Sequence, residues 1–176
     1  SDVYKRQVVL RPVKGGGEQV YKALEEIVGE DDITDDPIQL YSYSVDASAH
    51  QGIPEIVVRP ESTLEVSQII RVARKHKIPV VPRGAGTSLC GQATPVKGGI
   101  VLDMIKMDRI KEVSYEDRYV IVEPGVVYDD LNAELGKRGF FFPPLPASSR
   151  ACTLGGNVAT NASGSKAVKY GAMRDY

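Results

Sequence analysis

The chain has 176 residues, 42% of them hydrophobic and 26% charged, the composition of an ordinary soluble globular sequence long enough for one sizeable core. Lys and Arg total 22 against 23 Asp and Glu, and no basic stripe is visible, so there is no electrostatic case for nucleic acid or an anionic membrane as partner. No apolar run approaches a membrane span and no signal-peptide pattern opens the chain, which makes the cytoplasm the expected location.

Residues 1–7, Ser-Asp-Val-Tyr-Lys-Arg-Gln, lack an initiating Met and read as a non-native leader. Val20, Ala23, Leu24 and Ile27 share one face of a helix over 18–28, and Gly29 follows as its stop. The acidic stretch 31–37 lacks the glycine and terminal Glu of a calcium loop and is expected to be a solvated linker. A short apolar strand at 54–60 leads to Ser62 and Glu65, the spacing of a capping box at a helix start. Leu64, Ile69, Val72 and Ala73 are the expected buried face of that helix, and Lys75-His76-Lys77 suit its C-terminus. A second strand at 78–81 follows, so a strand-helix-strand crossover delivers the chain to the next loop at the carboxyl end of a parallel strand. Residues 100–102, 110–113 and 119–122 read as further strands. Val127, Leu131 and Leu135 then mark a third helix, ended by Gly136 or Gly139.

The loop after the second strand is Pro82-Arg83-Gly84-Ala85-Gly86-Thr87-Ser88-Leu89-Cys90-Gly91. Glycines at 84, 86 and 91 free the backbone to turn several N–H groups toward one point, a concavity suited to phosphate. It is not a Walker A loop, because Gly86 and Gly91 have the glycine spacing but Gln92-Ala93 follow where Lys-Ser/Thr is required. Nor is it the dinucleotide fingerprint, because Leu89 occupies the third glycine position and the residues beyond read as loop.

A strand, this loop, and then Cys152-Thr-Leu-Gly-Gly-Asn-Val-Ala-Thr-Asn-Ala-Ser-Gly164 resemble the FAD-linked oxidases of the vanillyl-alcohol oxidase / p-cresol methylhydroxylase superfamily. Within it the chain is most similar to the D-lactate dehydrogenase and glycolate oxidase flavin-subunit branch. The resemblance implies an α+β fold of the p-cresol methylhydroxylase (PCMH) type: a small parallel βαβ subdomain, then the start of a mainly antiparallel one. It divides the chain into an N-terminal helical segment and connector at 8–50 and an FAD-binding domain at 51–176 that stops short of its C-terminus, with the substrate domain absent. In that family the positions matching Arg83, Gly84, Ala85, Gly86, Thr87 and Ser88 wrap the pyrophosphate, chiefly through backbone amides. Gly91 is expected to permit close approach of the dinucleotide as the loop leaves. The second segment implies a wall near the flavin ring and ribityl chain, formed from Thr153, Gly155, Gly156, Asn157, Thr160, Asn161 and Gly164, with Pro146 stiffening the approach. Some relatives tether FAD through a histidine four residues after the loop arginine. Thr87 stands there, so the flavin is expected to be non-covalent.

The activity that the resemblance implies is oxidation of a 2-hydroxy acid to the 2-keto acid, with a quinone, cytochrome, iron–sulfur partner or oxygen as electron acceptor and a peripheral link to the inner membrane through such a partner. The substrate would be held by the missing domain, so catalytic residues are not assigned within this chain. A flavin oxidase acting on alcohols, sugars or cell-wall precursors, and a non-catalytic nucleotide- or phosphate-binding module, remain open alternatives. Arg83 reads equally as a surface cation or an ion-pair partner. Cys90 and Cys152 have no metal-ligand or Cys-x-x-Cys spacing and are expected to be buried free thiols.

Overall fold

The computed structural model describes residues 17–176, so the expected leader at 1–7 lies outside the described residues. Helix α1 (Gly17–Val28) turns Val20 and Leu24 inward and ends at Gly29, whose φ of 85° is open to glycine and strained for other residues. The acidic stretch that follows is not a solvated linker. It forms a 3₁₀ turn (Glu30–Asp32) and an edge strand β1 (Ile33–Thr34), and Asp32 is buried against Lys106 at 2.7 Å. The apolar Ile33 and the cation Lys106, distant in sequence, are what tie this run down, and neither is apparent from local acidity. Asp36 then caps helix α2 (Pro37–Ser42), accepting from the amides of Ile38 and Gln39.

Strand β2 (Ile56–Val58) is wholly buried and leads to helix α3 (Thr63–His76). Ser62 accepts from the Glu65 amide at 3.2 Å and donates to the Glu65 carboxylate, whose other oxygen takes the Glu61 amide at 2.7 Å. The capping box is therefore present, with its return bond shifted one residue upstream. Ser62→Ala is expected to cost about 1 kcal/mol, measurable as a lowered urea midpoint. Ile69 and Ala73 enter the core as expected and Val72 packs beside them, but Leu64 is 68% exposed because it sits roughly 140° around the helix from Ile69, on the solvent face.

Strands β3 (Val80–Arg83) and β4 (Ile100–Asp103) complete a four-stranded sheet in the order β1-β2-β4-β3. The three strands β2, β4 and β3 are parallel, and β1 is an antiparallel edge. The two strands joined by α3 are thus not neighbours: β4 sits between them, and the glycine-rich segment 84–99 itself is the crossover from β3 to β4. One face of the sheet packs on α1 and α3 through Val20, Leu24, Ile56, Val58, Ile69, Ile100 and Leu102, and the other buries Val57 and Val101 against Leu40.

The second unit opens with the antiparallel hairpin of β5 (Ile110–Ser114) and β6 (Tyr119–Val122). Arg118, in the turn, takes a φ of 58°. Helix α4 (Tyr128–Gly136) follows, with Val127 as the residue before its first turn. Its Leu131 and Leu135 pack with Val126, Cys152 and Leu154 into a core separate from that of the sheet. Two short helices, α5 (Leu154–Ala159) and α6 (Ala167–Tyr170), follow, and then a 3₁₀ turn (Met173–Asp175). The result is an α+β fold with a parallel and an antiparallel part, as expected.

Candidate cofactor site

The phosphate-type loop leaves the end of β3, and the second glycine segment is brought against it by three backbone bonds. Leu154 N–H donates to Val126 O, Gly155 N–H to Pro124 O, and Tyr128 N–H to Cys152 O, at 2.8, 2.8 and 3.0 Å. The two motifs then touch directly. A Cβ added to Gly84 would lie 2.1 Å from Thr153 Oγ1, so only a residue without a side chain fits there. Between them opens a cleft of about 400 Å³, within the usual range for ligand sites. Arg83 and Gly84 line one wall, and Thr153, Gly155 and Gly156 line another.

The remaining predicted residues separate by what their surroundings allow. Gly155 has its side-chain space taken by Pro124, at 2.5 Å from an added Cβ, whereas at Gly156 the nearest atom is 3.4 Å away. Of the pair, Gly156 is the one that leaves room toward the cleft. Gly164 packs on the carbonyl of Leu145 and the nitrogen of Pro146, which joins those two predicted residues at one point. Asn157 is buried and its amide faces Cys152 Sγ at 3.5 Å, while Thr160 Oγ1 donates to Gly156 O. Asn161 adopts a φ of 50°, which Asn tolerates, and accepts from the Arg174 amide. Along the first loop, Ala85 and Thr87 are half-buried, and Ser88 Oγ accepts the Cys90 amide and bonds the Gln92 side chain. Gly86 and Gly91 have φ of 67° and 75°, and Gly91 abuts the His50 ring. Cys90 is exposed and Cys152 buried, so the expectation of two buried thiols holds for one. The difference follows from Cys90 lying on the outer turn of the loop.

Sequence reasoning missed the apolar walls of the cleft. Val66 and Ile70 of α3, with Val80, Leu102 and Met104, lie opposite the second motif. Their spacing of four on α3 was legible, but it marks a second face beside Ile69 and Ala73. Also unanticipated was the polar group beneath the loop. Arg83 Nη1 donates to Ala93 O at 3.1 Å, its Cζ stands 5.5 Å from the centre of the Tyr43 ring, and Tyr43 O–H donates to buried Asp103 at 2.7 Å. Burial pushes the Arg83 guanidinium below its ordinary pKa, opposed by the charges of Asp103, Tyr43 and Asp46. Burial and hydrogen bonding to Asp103 push the Tyr43 phenol up.

Flavin fit rests on these observations: a cleft flanked by side-chain-free positions, a loop with two left-handed glycines, and a largely apolar opposite wall. No group of three or more His, Cys, Asp or Glu able to hold a metal occurs among the described residues. No helix there is long and apolar enough to cross a membrane.

Comparison with known proteins agrees with the geometry. The model of a family described as FAD binding domain matches residues 54–176. Glycolate oxidase subunit GlcD of Bacillus subtilis (strain 168) is 37% identical over 89% of this chain and 34% of its own length. The mitochondrial D-lactate dehydrogenase (cytochrome) of Arabidopsis thaliana is 41% identical over 93% of this chain and 30% of its own. Among solved structures, alkyldihydroxyacetonephosphate synthase superposes with a TM-score of 0.80 at 25% identity, covering 89% of this chain and 34% of that one. p-Cresol methylhydroxylase gives 0.75 at 23% identity over 85% and 30%, a likeness of fold. The chain spans about a third of the length of the relatives it matches. By the family match over residues 54–176 and by these relatives, the chain belongs to the FAD binding domain family, in its PCMH-type fold.

Proposed function

We propose that this chain is the FAD-binding portion of a flavin-dependent oxidoreductase that oxidises a 2-hydroxy acid of the D-lactate or glycolate type to the 2-keto acid. The observation that carries the reading is the contact of Gly84 with Thr153, which sets the two glycine motifs on one cleft. Bound FAD would supply the two-electron acceptor for the hydride lost from the substrate α-carbon. The chain's own part is to hold the cofactor. Backbone amides of residues 83–88 would hold the diphosphate, with the Thr87 hydroxyl, and that of Ser88 once released from Gln92, as further donors. Gly91 would clear the exit of the loop, and residues 153–164 with Pro146 would hold the ring and ribityl chain.

The chemistry of relatives that act on 2-hydroxy acids supports the substrate class. Groups that bind the substrate carboxylate and move its protons are assigned to sequence outside these 176 residues, as is any contact with a cytochrome, quinone or iron–sulfur acceptor. A cytoplasmic setting, with attachment to a membrane only through such a partner, fits this arrangement.

The test is a titration of the purified chain with FAD, read by flavin absorbance and by quenching of its fluorescence. Saturable binding is expected, lost in Gly86→Val, with all flavin released into the supernatant on acid precipitation. Flavin retained in the precipitate would contradict non-covalent attachment. Steady turnover of D-lactate or glycolate by this chain alone would overturn the assignment of the catalytic groups elsewhere.

A further inference from the structure

The glycine-rich loop has little of its own to keep it in shape. Among the described residues no backbone amide from Gly84 to Leu89 donates a hydrogen bond, and the first with a partner is that of Cys90, which donates to Ser88 Oγ at 3.2 Å. Open amides suit a loop that receives an anion, but they leave its backbone without a ladder. Residues 43–52, which precede the matched region 54–176, meet this loop at three points. Arg83 Cζ stands 5.5 Å from the centre of the Tyr43 ring. A Cβ added to Gly91 would lie 2.6 Å from His50 Cγ, and one added to Gly52 would lie 2.4 Å from Pro95 O, where backbone packs on backbone. Ala93, Thr94 and Pro95, on the return of the loop, are buried.

The stretch is closed on itself. Gly52 N–H donates to Ser44 O at 2.9 Å, and Val45 pairs with Gln51. Asp46 Oδ1 accepts the Ser48 amide at 2.9 Å, and Ser48 Oγ accepts the His50 amide at 3.0 Å and bonds His50 Nδ1 at 3.1 Å. Its first residue is tied to the sheet: Tyr43 O–H donates to Asp103 at 2.7 Å, and Asp103 is the β4 residue in register with Arg83 of β3. One side chain thus joins the ends of two strands, by its hydroxyl to β4 and by its ring to β3. We propose that residues 43–52 belong to the cofactor site as a brace that holds the glycine-rich loop in shape, with Tyr43 and His50 as positioning residues at its two ends. The effect on flavin rests on the proposed function, but the brace belongs to the protein without cofactor as well.

The test disturbs the brace at each contact without touching the loop. Tyr43→Leu removes the ring from Arg83, His50→Ala removes the ring from Gly91, and Gly52→Ala sets a methyl against the Pro95 backbone. In each variant of the 176-residue chain the FAD dissociation constant is expected to rise about tenfold. Tyr43→Phe keeps the ring over Arg83 and should bring binding back to within about threefold of the unmodified chain. Hydrogen exchange without cofactor is the second arm. The amides of Thr94, Val96 and Gly98, bonded to Gly91 O, Thr94 O and Pro95 O, should exchange about tenfold faster in the first three variants, because local opening of the loop releases them. Amides of the β5 and β6 hairpin, which packs on a separate core, should keep their rates. FAD binding unchanged in any of the three, no recovery in Tyr43→Phe, unaltered exchange at 94–98, or an equal quickening in the hairpin would each overturn the brace. If the unmodified chain binds no FAD, the functional reading fails and the exchange measurement alone decides the brace.

Discussion

Gly164→Ala is expected to be the most damaging single methyl in this fold. A Cβ at 164 would fall 1.6 Å from the Leu145 carbonyl oxygen and 3.0 Å from the Pro146 nitrogen, and both contacts are backbone. No rotamer change relieves a clash with backbone, so the segment 160–164 must move off the 143–146 turn. Overpacking of this kind costs about 3 kcal/mol or more, which for a chain of this size lowers the thermal midpoint by roughly 6–12 °C. Gly136→Ala is the matched control, because nothing lies within 4 Å of its added Cβ at the end of α4, and it should be neutral or slightly stabilising. Differential scanning calorimetry of the two variants checks the contrast. Equal midpoints would show that the turn and the second motif are not in contact.

Glu123 carries the second large effect. It follows β6, is 2% exposed, and accepts from the backbone, Nε and Nη2 of Arg109 at 3.1, 3.0 and 2.9 Å, with Lys111 Nζ at 3.1 Å. Arg109 hydrogen bonding, against the opposing effect of burial, holds the carboxyl pKa down at about 2. The carboxylate therefore ties the start of β5 to the end of β6 and fixes Pro124, whose carbonyl anchors Gly155 beside the cleft. Glu123→Gln is expected to cost about 1–3 kcal/mol at neutral pH, since both cations remain solvated and screening removes part of the interaction. The folded pKa lies below the unfolded value near 4.5, so this stabilisation is complete above about pH 4.5 and is lost as pH falls through about 2. Urea midpoints of the two proteins should converge over that window. A gap that stays constant from pH 7 to pH 2 would refute the charge-based account.

Much of this architecture was legible because its signals are local. The capping pair Ser62 and Glu65, the glycine stop at 29, and the periodicity of Leu131 and Leu135 each depend on neighbours within a turn or two. The two glycine motifs were legible for a related reason, since backbone approach restricts the residue type wherever it occurs. What escaped depends on partners distant in sequence. Asp32 reads as solvated until Lys106 is seen beside it, and Arg83 reads as a surface cation until the Ala93 carbonyl and the Tyr43 ring are found against it. The strand order escaped for the same reason. Strand-helix-strand spacing gives parallel handedness but does not say whether a later strand will slip between the pair.

That insertion has a kinetic consequence. Because β4 occupies the slot between β2 and β3, β2 has only its short antiparallel partner β1, and β3 has no neighbour at all, until residues 100–103 arrive. During synthesis the nascent N-terminal half therefore exposes two unpaired parallel edges, and refolding must close a long loop before any parallel ladder forms. A pulse-labelling experiment should find α1 and α3 amides shielded no earlier than those of β4, with the glycine crossover closing in the same cooperative step.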